Sequence, residues 1–302
     1  MRLGTVEAAG RARVVAVLDD AHVLDLAAAS DEACFADMVS LVEAGEAGLE
    51  AARAALAAAP DHAVLNLSDV THRCPIKPVQ YRDCLVFEEH LKNSFAAAEK
   101  MTGRPFAIPP VWYDQPVYYK GNRMSFIGHG EDVRWPNYAE FLDIELELAI
   151  VIGKGGTDIS EADAPGHIFG YTVLNDVSAR DAQMVEMAGQ LGPAKGKDFD
   201  TGNILGPWIV TADEVPHPAA LEMEAVINGE RWGGGNSRNM HHSFAKIIAH
   251  ISRSETLYPG EVIGSGTVGT GCGLEIGKRL APGDTFSLTI EKIGTLTNRI
   301  VK

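Results

Sequence analysis

At 302 residues, with 46% hydrophobic and 22% charged side chains, the chain has the composition of a globular protein with a sizeable core. A formal charge of −15 argues against nucleic acid and anionic membrane surfaces as partners, because phosphate binding needs local positive excess; a small molecule is the expected ligand. Cys34, Cys74, Cys84 and Cys272 form no C-x-x-C pair, no run of about 18 apolar residues occurs, and the first residues carry no cleavable apolar leader, so the expectation is a soluble cytoplasmic protein.

In chain order, residues 1–26 read as short strands, with Asp19 and Asp20 turning between two apolar runs. Ser30, followed by Asp31 and Glu32, predicts a helix start, and alanine-rich sequence continues to Pro60, divided into two helices by Gly45 and Gly48. This predicts a small N-terminal α/β domain over residues 1–70, followed by a larger domain over 71–302 that begins where the composition turns to HRCPIKPVQY. Helices are expected at 84–101, 178–190 and 241–254, with strands over most of the remainder. Asn228-Gly229 marks a hairpin, and FSLTIEKIGTLTNRIV predicts two strands turning near Gly294. The larger domain thus reads as a mixed, β-rich α+β fold rather than a doubly wound sheet, which needs regular βα alternation.

LDIELELAIVIG, residues 142–153, predicts a single strand in which Asp143, Glu145 and Glu147 share one face while leucines and isoleucine fill the other. Like charges side by side repel, so the row calls either for a solvated face or for a hard divalent cation such as Mg²⁺, Mn²⁺ or Ca²⁺. Asp176 ends the apolar run of IFGYTVLNDVSARDAQ, where it reads equally as a third ligand or as a helix cap. Gly264, Gly266 and Gly269 spell G-x-G-x-x-G, but the glycine-rich stretch that follows makes a poor helix for a dinucleotide site. His241 and His242, being adjacent, read as surface or capping residues, and Met184 and Met187 as core.

LDIELELAIVIG, IFGYTVLNDVSARDAQ, GPAKGKDFDTGNILGPWIV and LYPGEVIGSGTVGTG, in that order, resemble the fumarylacetoacetate hydrolase superfamily over roughly residues 75–302. The resemblance implies a β-rich, roll-like catalytic domain, a small N-terminal domain and a homodimer. It implies a divalent metal, Mg²⁺ first with Mn²⁺ or Ca²⁺ as alternatives, held by Asp83, Glu145, Glu147 and Asp176, with His90 as catalytic base. Arg180, Gln183 and Lys197 then hold substrate oxygens, while Tyr119 and Thr267 contact substrate. The partner carboxylate of His90 stays open among Glu275, Glu89 and Glu88. Two positions depart from the hydrolase pattern: Leu85 stands where a tyrosine is expected and Glu99 where an arginine is expected, which changes the acyl pocket.

The activity implied is metal-dependent hydrolysis of a carbon–carbon bond in a 1,3-diketone or acylpyruvate, through water attack and a metal-stabilised enolate. Asn93, three residues after His90 where decarboxylase-like members have glutamate, favours this over a 2-oxo acid decarboxylase or hydratase. A non-catalytic, metal-stabilised binding protein is the alternative of another class, because His90 lacks an evident partner glutamate. Residues 100–115, rich in Gly and Pro, read either as a cover over the site or as an ordinary loop.

Overall fold

Strand-forming residues dominate the middle of the chain, and most of them enter one twelve-stranded sheet. The computed structural model describes residues 1–302 apart from 216 and 218. The main path of the sheet uses β1 (Arg2–Ala8), β2 (Arg11–Val17), β3 (His22–Asp25), β4 (Val64–Asn66), β5 (Tyr81–Cys84), β6 (Tyr118–Lys120), β7 (Leu146–Ile152), β8 (Ile168–Asp176), β9 (Asn203–Thr211) and β10 (Val262–Gly264). Their order across the sheet is β4-β3-β2-β1-β9-β8-β7-β10-β5-β6. Strand β1 pairs with β9, Leu3 opposite Ile209, so the N-terminal strands extend the sheet that carries the acidic sequence.

A second sheet of five strands runs in the order Glu230–Asn236, Glu222–Ile227, Thr285–Ile290, Gly294–Val301, Asp132–Arg134. Its two hairpins fall where the sequence places them, at Asn228-Gly229, both with positive φ, and immediately before Gly294. The result is the mixed α+β architecture that the strand-rich pattern predicts.

Buried on both faces, β7 divides its side chains between two cores. Leu146, Leu148, Ile150 and Ile152 join Leu142 and Ile144 in the core shared with the second sheet, whereas Ala149 and Val151 face the core that receives the N-terminal helices. Glu147 points to the second side, where the apolar surface ends.

Helix positions depart from expectation in instructive ways. Ser30 is extended and closes a single turn; the real start is Asp37, whose Oδ1 accepts from Ser40 N at 2.9 Å and caps α1 (Met38–Glu43). The break before α2 (Gly45–Ala58) falls at Gly45 alone. Gly48 lies inside α2, where a Cβ would meet that of Ala44 at 2.8 Å. Further along come α3 (Glu88–Thr102), α4 (Pro110–Asp114), α5 (Arg180–Met187), α6 (Ala194–Lys197), α7 (Phe244–Ile251) and α8 (Gly273–Ile276). Ser243 caps α7, so His241 and His242 precede it. His242 is buried rather than superficial, bonded through Nε2 to Trp112 O at 2.7 Å, and His241 stacks on Trp112.

Met184 and Met187, expected in the core, are 36% and 51% exposed. Only Arg180 of α5 is buried, so the helix is anchored chiefly by a polar contact at its start. Residues 110–115 are pinned by Trp112, whose Nε1 donates to Leu85 O, while residues 102–107 run exposed. Among the described residues, no helix is long and apolar enough to cross a membrane.

Candidate active site

The acidic row is not one strand. Leu142–Asp143 pairs with Ser178–Ala179, the chain breaks at Ile144 and Glu145, and β7 then pairs with β8. Asn175 holds the break, its Oδ1 accepting from Glu145 N at 2.9 Å in place of a ladder bond. Each carboxylate consequently has its own partners. Asp143 Oδ2 accepts from Arg180 Nε at 3.0 Å and Nη2 at 2.9 Å, and Asp143 also accepts from Gly273 N and Leu274 N at the start of α8. Its role is to fix the guanidinium. Arg180 Nη1 reaches on to Glu145 Oε1 at 2.6 Å and Gln183 Oε1 at 3.1 Å.

Lys197, presented by α6, bridges Glu145 Oε2 at 2.5 Å and Asp176 Oδ2 at 2.6 Å. Tyr119 on β6 donates to the same Asp176 oxygen at 2.7 Å. Asp83 reaches this point because β5 lies beside β10, which lies beside β7; Asp83, Glu147 and Asp176 each place a carboxylate oxygen within 4.8 Å of the other two. Glu145, the fourth predicted ligand, adjoins this triad through the Lys197 ammonium. Thr267 is buried one residue beyond Gly266 in the adjoining loop.

The charge balance is uneven. Five buried carboxylates (Asp83, Asp143, Glu145, Glu147, Asp176) face the two cations Arg180 and Lys197. Burial works against an ionised Glu145, but Lys197 and Arg180 outweigh it and hold its carboxyl well below the usual range. Asp83 and Glu147 make no ion pair with either cation. Burial and the Asp176 charge push Asp83 up to about 8, and burial with the Asp83 charge pushes Glu147 well up.

Asp83 Oδ1, Glu147 Oε1 and Asp176 Oδ1 are buried acceptors without a donor. Three carboxylates that converge within 4.8 Å, each with one oxygen lacking a donor, are the chemistry of a hard divalent cation, and they fit Mg²⁺, Mn²⁺ or Ca²⁺. An acid whose pKa is raised from 3.8 to about 8 keeps a proton in the folded chain that the unfolded chain releases between those values. Its contribution to metal-free stability therefore grows as pH falls from 8 towards 4, while metal binding has to expel the proton. Calorimetry at pH 7 in buffers of different ionisation enthalpy should show net proton release as Mg²⁺ binds, with affinity rising towards pH 8.

His90, on the first turn of α3, meets a carboxylate from the far end of the sequence. Its Nδ1 lies 2.8 Å from Glu275 Oε1, and Glu275 Oε2 accepts from Thr270 N at 2.7 Å and Asn93 Nδ2 at 3.0 Å. Of the three carboxylates left open by the sequence, Glu88 is bound instead to Tyr113 and Lys92, and Glu89 lies against Gly269. The imidazole is close enough to Glu145 for its positive form to favour that carboxylate's charge. An oriented proton acceptor thus stands beside the cation-binding acids. The two departures lie aside: Leu85 gives its carbonyl to Trp112, and Glu99 is exposed near the end of α3.

The glycine motif set aside in the sequence turns out to shape this site. A Cβ at Gly264 would overlap Asp83 Oδ1, approach Leu174 Cδ2 to 2.6 Å and Glu147 Oε2 to 2.9 Å. Gly266, with φ of +81°, donates its N–H to Glu147 Oε2 at 3.0 Å. The readable signal was glycine inside a strand, which marks close approach of another group. Gly264→Ala should destabilise the fold by about 1–3 kcal/mol and weaken Mg²⁺ binding, read by denaturant midpoint and by metal titration.

A family model described as Fumarylacetoacetate (FAA) hydrolase C-terminal matches residues 82–301, which contain every predicted site residue. The chain belongs to the fumarylacetoacetate hydrolase family. Among family relatives, oxaloacetate tautomerase YisK of Bacillus subtilis is 33% identical over 314 residues, covering 99% of this chain and 100% of that protein. Human mitochondrial oxaloacetate tautomerase FAHD2A is 35% identical over 267 residues, covering 87% of this chain and 79% of its own. A family fold is also seen in a putative HpcE protein from Mycobacterium smegmatis, with a TM-score of 0.83 and 31% identity over 100% of this chain and 99% of that one.

Proposed function

We propose that the chain is a divalent-metal-dependent enzyme that interconverts the keto and enol forms of a 2-oxo acid of the oxaloacetate class. The observation that carries this reading is a buried carboxylate triad, each member keeping one oxygen without a donor, beside a carboxylate-oriented histidine. The similarity to two proteins named oxaloacetate tautomerases supports the substrate class.

Asp83, Glu147 and Asp176, with Glu145 beside them, would hold the cation, which as a Lewis acid favours negative charge on the substrate's 2-oxo oxygen. Neutral His90, with its Nδ1 proton held on Glu275, takes a proton from the carbon next to the 2-oxo group through Nε2. Lys197 and Arg180 place fixed positive charge where the enol oxygen develops, and return of the His90 Nε2 proton to that oxygen completes the enol and restores the neutral base. Reversal returns the keto form, and no water is consumed.

The carbon–carbon hydrolase is the second reading, favoured by the same His90–Glu275 pair, since a histidine so held also suits deprotonation of water. Glu275 supplies the partner carboxylate whose absence from the local sequence left room for a non-catalytic protein. Incubating Mg²⁺-loaded protein with acylpyruvates and with oxaloacetate, reading fragments by mass spectrometry and keto–enol conversion by ultraviolet absorbance, separates the readings. Pyruvate plus a carboxylic acid would establish the hydrolase, carbon dioxide a decarboxylase, and keto–enol exchange without fragmentation the tautomerase. A homodimer belongs to the same proposal, and light scattering in solution tests it.

A further inference from the structure

A second group of ligand-type side chains meets beside the carboxylate triad, and its donor chemistry is different. Cys272 is 1% exposed, and its thiol donates to Glu275 Oε1 at 3.4 Å. The same oxygen lies 2.8 Å from His90 Nδ1. One donor atom from each of His90, Cys272 and Glu275 lies within 4.8 Å of the other two. Where the first cluster offers oxygen alone, this one offers sulfur, nitrogen and oxygen. Thiolate and imidazole select borderline and soft cations, whereas Mg²⁺ and Ca²⁺ favour all-oxygen sites.

We propose that His90, Cys272 and Glu275 form an inhibitory site for a thiophilic divalent cation, of which Zn²⁺ and Cd²⁺ are the chemical type. Two hydrogens now converge on Glu275 Oε1, one from the thiol and one from Nδ1. A cation at that point replaces both. The thiol gives its proton to solvent and binds as thiolate, Glu275 binds as carboxylate, and the imidazole proton moves from Nδ1 to Nε2 so that the Nδ1 lone pair faces the ion. The two ligand charges balance the cation.

Inhibition follows from the same rearrangement. An imidazole with metal on Nδ1 and a proton on Nε2 has no lone pair left to accept a proton from substrate, so the acid–base step stops while the carboxylate triad keeps its own cation. The predicted loss of turnover rests on the proposed role of His90 as base; the binding site itself does not. It also accounts for a residue that the proposed reaction does not use, a buried thiol aimed at the base's own carboxylate.

The test saturates the protein with Mg²⁺ to fill the oxygen site, then titrates Cd²⁺ and follows the thiolate-to-cadmium charge-transfer band. Cys272→Ala and Cys272→Ser are run beside the wild type to subtract Cys34, Cys74 and Cys84. One equivalent should produce the band in the wild type, and either variant should lose it and bind at least about tenfold more weakly. Turnover of each protein, relative to its own cadmium-free rate, should fall with site occupancy in the wild type and resist the same cadmium concentration in both variants. An unchanged band in the variants, or no binding to Mg²⁺-saturated wild type, would overturn the proposal. A Cys272-dependent band without loss of turnover would leave the metal site standing and remove His90 from the reaction.

Discussion

Replacing Glu275 with glutamine should lower kcat by about 10²- to 10⁴-fold while leaving Mg²⁺ affinity close to that of the wild type. Thr270 N and Asn93 Nδ2 both donate to Glu275 Oε2, so a glutamine amide will keep its oxygen at that position. The amide NH₂ then falls where Oε1 was, facing His90 Nδ1. Nδ1 becomes an acceptor, the imidazole proton shifts to Nε2, and the base is held in the unusable tautomer. His90→Ala should give a loss of similar size, and the double variant should lose little more than either single one, because the two residues act as a unit. Steady-state kinetics with calorimetric Mg²⁺ titration distinguishes this from damage to the cation site. A Glu275→Gln enzyme with wild-type kcat would remove the dyad from the mechanism.

Glu147→Gln should act on the other half of the site, with opposite effects on the metal-free and metal-loaded protein. Without metal, the wild type holds Glu147 and Asp83 as crowded, buried acids without a cation. A neutral amide removes the cost of keeping Glu147 uncharged above its ordinary titration range and can keep the bond from Gly266 N, so the metal-free variant should melt at a higher temperature near pH 7. Metal at a hundredfold excess over its Kd stabilises a binding-competent protein by about 2.7 kcal/mol. The variant should lose that stabilisation, and its turnover should fall to background. Thermal melts with Mg²⁺ and with chelator check both signs; an undiminished Mg²⁺ shift in the variant would take Glu147 out of the ligand set.

Much of the fold was legible because its signals are local. Asn228-Gly229 marks a hairpin through backbone geometry alone, and the leucines of 142–148 all enter one core as the alternation predicts. Helix starts were less legible: Ser30 and Asp37 share the capping chemistry and the extended backbone, but Ser30 closes a single turn whereas Asp37 precedes a helix and accepts from Ser40 N. The break at Glu145 was invisible from the strand's own sequence, because the group that satisfies it, Asn175, sits thirty residues away.

The candidate site divides in the same way. Acids at alternate positions call for compensation, which the structure supplies to Asp143 and Glu145 through Arg180 and Lys197, while of that row only Glu147 enters the carboxylate triad with Asp83 and Asp176. The partner of His90 lies 185 residues downstream, beyond the reach of any spacing rule. Gly264 and Gly266 were visible but misdirected attention, since glycines mark close approach without naming what approaches. Here it is carboxylate oxygen rather than phosphate.

The central claim is that the metal-loaded protein moves a proton between carbon and oxygen of a 2-oxo acid. The most direct measurement is the rate at which enol oxaloacetate converts to the keto form, followed by ultraviolet absorbance with Mg²⁺-loaded wild type, metal-free protein and Glu275→Gln. Acceleration that scales with wild-type concentration, needs Mg²⁺ and collapses in the variant is the predicted result. Conversion at the buffer rate for every concentration of Mg²⁺-loaded wild type would contradict it.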